Sequence, residues 1–329
     1  FHFGGRRQVG FYNVLYNVQL VFPVLHNYSI PTMTHVLKNK NLEIYIDLPG
    51  ENYRSSRFDW TGKIAKVLFQ NIPISGFENS DCDNENNCGK GFYNEFGIEN
   101  AVGFDETEIG DWFHKIGVGL LKKDDNLYQF NKSYEIIPAE FDTIKELNRI
   151  SINCKSKVYN GYSYLLKKEM ELHENSFVVT YSLQNTGNKD LNISEYVHNF
   201  ITINNQRLGS GLELHFPFQI KPELFGETVN PEQKVNIGLN QVKFNSPPNQ
   251  QFFFSNLSGS SNVPAQWELV DRVTNIGISE KGNFTTNKVN LWGSEDVISP
   301  ELFFNVVIKP QKTAQCVRTF YMFTEKKQP

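Results

Sequence analysis

Tyr164–Leu172 reads YLLKKEMEL and Phe177–Leu183 reads FVVTYSL, joined through His173–Ser176 and followed by the turn triplet Asn185-Thr186-Gly187. Apolar and polar side chains alternate along these runs. A strand sends successive side chains to opposite faces, so a period of two marks a strand with one face buried. The same grammar repeats outward in both directions. Leu42–Leu48 (LEIYIDL) ends at Pro49-Gly50, and Lys63–Phe69 (KIAKVLF) follows Thr61-Gly62. Leu212–Ile220, Val242–Phe244, Gln251–Ser255, Val289–Trp292, Leu302–Ile308 and Cys316–Phe323 extend the series, with Pro247–Gln250 and Asn256–Asn262 reading as loops. No helical patterns of about ten residues or more alternate with these strands. Only Pro138–Leu147 (PAEFDTIKEL) admits a short helix, and a strand and loop would serve as well. The expectation is an all-β sandwich or barrel with few short helices.

Composition agrees. The 329 residues are 39% hydrophobic and 21% charged, a balance that supports a large buried core and excludes a disordered chain. Net charge is −4, so the chain lacks the basic footprint needed to grip nucleic acid or an anionic membrane. The 27 Phe, 14 Tyr and 4 Trp, against 3 Met, favour sheet faces and provide platforms for the flat apolar faces of sugars. No repeat and no shift of composition divides residues 33–329, which are expected to form a single domain.

The first 32 residues read differently. Residues 11–26 are apolar but interrupted by Asn13, Asn17, Gln19 and Pro23, too short and too polar for a membrane span. Arg6-Arg7 precedes them, yet no small-residue cleavage site follows. Residues 1–32 are expected to be extraneous or disordered, with Met33 as the true start.

The four cysteines are Cys82, Cys88, Cys154 and Cys316. Cys82 and Cys88 flank an acidic, Asn-rich stretch that suits a disulfide or a weak metal site, but zinc wants a second close pair. Free thiols in a reducing compartment are the simpler expectation, and with the poor leader they point to the cytoplasm.

The chain has no HExxH, GxSxG, GxxxxGK or CxxC. Zinc-protease, α/β-hydrolase and nucleotide-hydrolysing chemistries need those fixed spacings, so none has support. Two segments remain. Ser194–Phe200 (SEYVHNF) places His198 on a candidate strand, either as an ionisable group facing a cleft or as a core histidine bonded to backbone. Val297–Lys309 (VISPELFFNVVIK) carries one carboxylate, Glu301, in apolar text, either desolvated or exposed and paired. Facing one pocket, they would form an acid/base pair: burial raises a carboxyl pKa, while imidazole titrates near neutrality.

At these residues the sequence resembles the aldose 1-epimerases, or mutarotases. Ordered landmarks over roughly residues 40–325 carry the resemblance: Arg57–Ile64 (RFDWTGKI), Gly89–Gly97 (GKGFYNEFG), Asp111–Leu121 (DWFHKIGVGLL), the run from Phe177 through Asn185-Thr186-Gly187 to His198, Ser299-Pro300-Glu301-Leu302, and Ile308-Lys309-Pro310 with Arg318–Phe323. Two departures are plain: Val197 replaces the usual Asn before the His, and Gln311 replaces the Gly after Pro310. The resemblance implies a galactose-mutarotase-like β-supersandwich of large antiparallel sheets, with a sugar cleft on a concave face. It implies that Glu301 accepts the anomeric hydroxyl proton while His198 donates to the ring oxygen, the two standing about a sugar ring apart. Arg57, Glu95, His114 or Lys115, and Trp292 become candidate substrate ligands. Arg57 has a buried ion pair with Asp59 or another carboxylate as its alternative, and Trp292 has core packing. The reaction opens a hemiacetal without redox change, so no metal and no cofactor is expected. The partner is a small-molecule sugar, and the chain is expected as a monomer or homodimer. Other readings are a non-catalytic carbohydrate-binding protein and a sugar-phosphate mutarotase using Arg54, Arg57 and Lys63. Polysaccharide lyases, inverting hydrolases (which need two spaced carboxylates) and a purely structural sandwich stand further off.

Overall fold

A computed structural model describes residues 34–78 and 88–325. By its contacts the chain divides into Phe1–Thr32 and Met33–Pro329. The expectations for residues 1–32 and for Cys82 lie outside the described residues. The regular secondary structure of the described residues is almost entirely strand. It opens with β1 (His35–Lys38), β2 (Leu42–Asp47), β3 (Lys63–Phe69) and a stub, β4 (Ile72–Pro73). Then come β5 (Phe92–Phe96) and the small sheet of β6 (Trp112–Lys115), β7 (Gly119–Lys122) and β8 (Ile136–Pro138). β9 (Glu140–Lys145), β10 (Arg149–Lys155), β11 (Tyr164–Leu172) and β12 (Ser176–Asn185) form consecutive antiparallel pairs. β13 (Leu191–Asn199) and β14 (Leu212–His215) precede a single 3-10 turn at Pro222–Leu224. The chain continues through β15 (Thr228–Val229), β16 (Val235–Ile237), β17 (Gln241–Phe244), β18 (Phe252–Phe254), β19 (Val263–Asp271) and β20 (Ile276–Thr286). It closes with β21 (Val289–Gly293), β22 (Ile298–Leu302), β23 (Phe304–Ile308) and β24 (Thr313–Thr324).

A seven-stranded sheet runs β1-β2-β3-β5-β13-β23, with β4 beside β3, and a ten-stranded sheet runs β16-β17-β14-β19-β20-β24-β12-β11-β10-β9. Four strands, β15-β18-β21-β22, make a third sheet. The main core joins the first two: Ile44, Val67, Phe92 and Val197 from one sheet cluster with Ile152, Leu166, Val179 and Phe320 from the other. Fully burying a side chain of this size is worth about 1.5–3 kcal/mol. A second, aromatic cluster (Tyr53, Phe58, Trp60, Tyr93, Phe113, Phe200) forms separately from the first. Among the described residues, no helix is long and apolar enough to cross a membrane.

Three segments of the sequence reading take definite form in the fold. Pro138–Leu147 takes the strand-and-loop alternative: Glu140–Lys145 pairs with β10 as the edge of the large sheet. Leu302–Ile308 is not one strand but breaks at Phe303, whose ring turns to stack on Tyr196 at 4.7 Å and 22°. The Asn185-Thr186-Gly187 turn joins β12 to β13 across two different sheets. The Asn185 side chain pins that arch by donating to the carbonyls of Lys189 (2.8 Å) and Ile308 (2.7 Å). Of the cysteines, Cys154 and Cys316 are free and buried, as expected, whereas Cys88 is disulfide-bonded.

The inner face of the seven-stranded sheet is not wholly apolar. Asn94 donates to Glu195 (2.6 Å), Arg318 donates to Glu195 (2.7 Å) and to Glu280 (2.6 Å), and Trp267 donates to Glu280 (2.8 Å). Lys168 extends the chain, donating to Asn94 (3.1 Å) and standing 3.5 Å from Asp59. All seven side chains are at most 5% exposed, so the network ties β5, β11, β13, β19, β20 and β24 together with charge-assisted bonds in a dry interior.

Candidate functional site

β5 and β13 pair antiparallel with Tyr196 opposite Glu95 and His198 opposite Tyr93. Alternation then sorts the side chains. Phe92, Phe96 and Val197 enter the main core, whereas Tyr93 and Phe200 join the aromatic cluster on the opposite face. Glu95, Tyr196 and His198 share the parity of Tyr93 and Phe200, so the sequence pattern alone turns them away from the main core. Gly91 and Gly97 bracket β5, both at φ +63, and a Cβ at Gly91 would lie 2.0 Å from the Ile64 carbonyl oxygen. Only glycine meets both demands.

The β21–β22 hairpin sets Asn290 opposite Glu301 and Trp292 opposite Ser299. It docks on the end of β13, where the Asn199 amide donates to Ser299 Oγ (2.9 Å) and Ile201 bridges Ile298. His198 Nε2 thereby stands 3.7 Å from Glu301 Oε1. The imidazole lies flat on Phe200 (4.1 Å, 9°) and edge-on to Trp292 (5.0 Å, 70°), and its Nδ1 has no hydrogen-bond partner. It is therefore not a core histidine bonded to backbone. His198 is 3% exposed and Glu301 4%. Burial first, and the neighbouring Glu95 charge second, push the Glu301 carboxyl up to about 8, with Arg57 and an Asn290 hydrogen bond holding it partly down. Burial, then Arg57, pushes His198 well below its usual 6.5. The separation would suit an ion pair, but both shifts oppose charge. Burial disfavours the charged form of both groups, so the enclosure works against an ion pair and favours the protonated carboxyl beside a neutral imidazole.

Beside it lies a second group. Arg57 Nε donates to Glu95 Oε2 (3.3 Å) and its Nη1 to Glu78 (3.3 Å), so the buried ion pair forms with these carboxylates and not with Asp59. Tyr196 Oη donates to Glu95 Oε2 at 2.7 Å, and Lys115 Nζ stands 4.0 Å from Glu95 Oε1 while donating to Tyr128 Oη (3.1 Å). Burial pulls Lys115 down to about 8 despite Glu95, whereas for Arg57 the neighbouring negative groups, Glu95 foremost, outweigh burial and raise it. His114, one residue before Lys115, belongs to the other face: it packs against the rings of Tyr162 and Tyr164, and burial pushes it down to about 4. Lys115, not His114, reaches the cluster.

The structure thus brings together Arg57, Glu95, Lys115, His198, Trp292 and Glu301, and leaves His114 apart. Tyr196, Asn290, Glu78 and Tyr128 join them without having been singled out. Tyr196 had a signal, standing two residues before His198 on the same strand face. Asn290 enters only through cross-strand register, and Glu78 and Tyr128 through tertiary contact. No group of three or more His, Cys, Asp or Glu side chains among the described residues is arranged to hold a metal ion.

No protein-family model and no curated protein matches the chain by sequence. Solved structures match it in fold. The Slr1438 protein of Synechocystis sp. PCC 6803 superposes with a TM-score of 0.58 at 14% identity, over 89% of this chain and 96% of that one. An Escherichia coli K12 protein provisionally assigned as an aldose 1-epimerase gives 0.57 at 11%, over 89% and 99%. A galactose mutarotase-like protein of Lactobacillus casei ATCC 334 gives 0.55 at 11%, over 88% and 100%. At such identities the likeness shows the fold, which is the galactose-mutarotase-like arrangement of large antiparallel sheets.

Proposed function

We propose that this chain is an aldose 1-epimerase, interconverting the anomers of an aldose at His198 and Glu301. The observation that carries the reading is the pair itself: a buried imidazole and a buried carboxyl 3.7 Å apart. The oxygens that must exchange protons, the anomeric hydroxyl and the ring oxygen, are both bonded to the anomeric carbon. A pair at this separation serves both without spanning the ring, so the width of a sugar ring is not required. Starting from the neutral pair, the Glu301 carboxyl gives its proton to the ring oxygen as the C1–O5 bond breaks. His198 takes the hydroxyl proton, which leaves the open-chain aldehyde. The C1–C2 bond rotates, the hydroxyl re-adds to the other carbonyl face, and both protons return. The roles implied by the family resemblance, Glu301 as base and His198 as acid, use the same single proton after it crosses to His198. A polar substrate that lowers the cost of charge in the site favours that crossing. Each proton transfer is worth roughly 10²–10⁴-fold. Arg57, Glu95 and Lys115 are the proposed hydroxyl ligands, with Trp292 against the sugar face.

The test is the approach of freshly dissolved α-aldoses to anomeric equilibrium, followed by proton NMR. Glu301→Gln and His198→Ala should each lower the rate by about 10²-fold or more with the fold retained. Full activity in either variant would sink the assignment. The burial of the pair, at 3–4% exposure, favours one second reading, a carbohydrate-binding protein without turnover; it predicts sugar-induced line broadening and no acceleration. The sugar-phosphate reading has less support. Arg57 is engaged by two carboxylates, Arg54 donates to the Gly50 carbonyl, and Lys63 is buried over the Tyr53 ring.

A further inference from the structure

We propose that the groove beside this pair binds a neutral oligosaccharide, so that the aldose acted upon is the reducing end of a glycan chain. The inference rests on the sugar reading above. An open groove of about 750 Å³, more than a single ring needs, is lined by Asn290 next to the site, and a second of about 340 Å³ shares Glu99, Lys288 and Asn305 with it. Together they form a track rather than a pocket for one small molecule.

Three lining residues touch the proposed machinery. Asn290 stands opposite Glu301, Phe303 stacks on Tyr196, and Phe130 lies under the Arg57 guanidinium at 5.2 Å. A chain seated in the groove thus reaches Asn290, the cross-strand partner of Glu301. Phe253, cross-strand neighbour of Trp292, adds an aromatic surface. Asn287 and Asn305 are exposed on the lining, and their amide groups have no partner among the described residues. Aromatic faces with free amides are what sugar rings and their hydroxyls require.

Charge selects a neutral chain. Among the described residues, the charged side chains on the larger groove are Glu99, Glu227 and Lys288, and Lys288 is already ion-paired with Glu99 over the Phe303 ring. Among the described residues, a uronate or phosphate would meet two carboxylates and no free cation.

The experiment is calorimetric titration of the full chain with β-1,4- and α-1,4-linked glucose and β-1,4-linked mannose series, from monosaccharide to pentasaccharide. It is paired with anomerisation rates on the same sugars. In at least one series, affinity should rise by about tenfold or more between monosaccharide and trisaccharide. Asn287→Ala combined with Asn305→Ala, and separately Phe253→Ala, should erase that gain while leaving the monosaccharide rate unchanged. Affinity independent of length in every series, or a gain that survives both variants, would overturn the groove. Length-dependent binding without anomerisation would uphold the groove and refute the epimerase. Anomerisation without length dependence would do the reverse.

Discussion

Glu301 keeps a proton that it gives up when the chain unfolds, because the dry enclosure holds its folded pKa at about 8 against an ordinary 4.5. The sign follows. Its favourable contribution is complete below 4.5 and is lost as pH rises through about 8, since charging it in the folded state is costly. Melting temperature should therefore fall across that window, and Glu301→Gln should flatten the fall; an unchanged slope would mean the carboxyl is solvated. The same ionisation should place an alkaline limb in kcat/KM near pH 8, absent from the residual activity of the glutamine variant. At this scale the sequence was partly legible. His198 and Glu301 stood out as ionisable groups in apolar text, but His114 and Lys115 could not be separated until a strand face was assigned. Gln311 shows the converse: it takes φ +62 where the resembled family has glycine, a departure visible in sequence whose backbone consequence appears only in the fold.

At the scale of the element, alternation decided most of what matters. SEYVHNF sends Tyr196, His198 and Phe200 outward and Glu195, Val197 and Asn199 inward, and the inward polar residues need partners that other strands supply. Arg318 of β24 is the centre of that supply, holding Glu195 of β13 and Glu280 of β20 at 0% exposure. Arg318→Met should cost about 3–5 kcal/mol in urea unfolding, because it strands two buried carboxylates. Adding Glu195→Gln and Glu280→Gln should recover part of the loss; a cost below about 1 kcal/mol for the single change would place the network in contact with water. β11 and β3 match their sequence assignments residue for residue, since turn signals bound both, although β3 breaks its period of two at a bulge opposite β2. β19 and β20, central to the large sheet, escaped notice: Val263–Asp271 buries its apolar side chains among Gln and Glu, and Ile276–Thr286 loses its period at Lys281-Gly282-Asn283.

At the scale of the molecule, the two large sheets close over one core while the third sheet brings Glu301 to His198. The disulfide at Cys88 bears on where such a molecule lives. Disulfides persist in oxidising compartments, which weighs against the cytoplasmic expectation. In denaturant without reductant, alkylation should label Cys154 and Cys316 and spare Cys88, which should react only after reduction. Labelling of Cys88 from the start would restore the reduced, cytoplasmic reading.

The sequence by itself determined the all-β class, the faces of the clearly alternating strands and the chemical types at the site, because period-two patterning and residue chemistry are local. Tertiary structure decided which faces meet. It set His198 against Glu301, committed Arg57 to Glu95 and Glu78, and chose Lys115 over His114. Those pairings arise from cross-strand register and sheet docking between segments distant in sequence, and the desolvation that shifts their protons exists only once the sheets have closed.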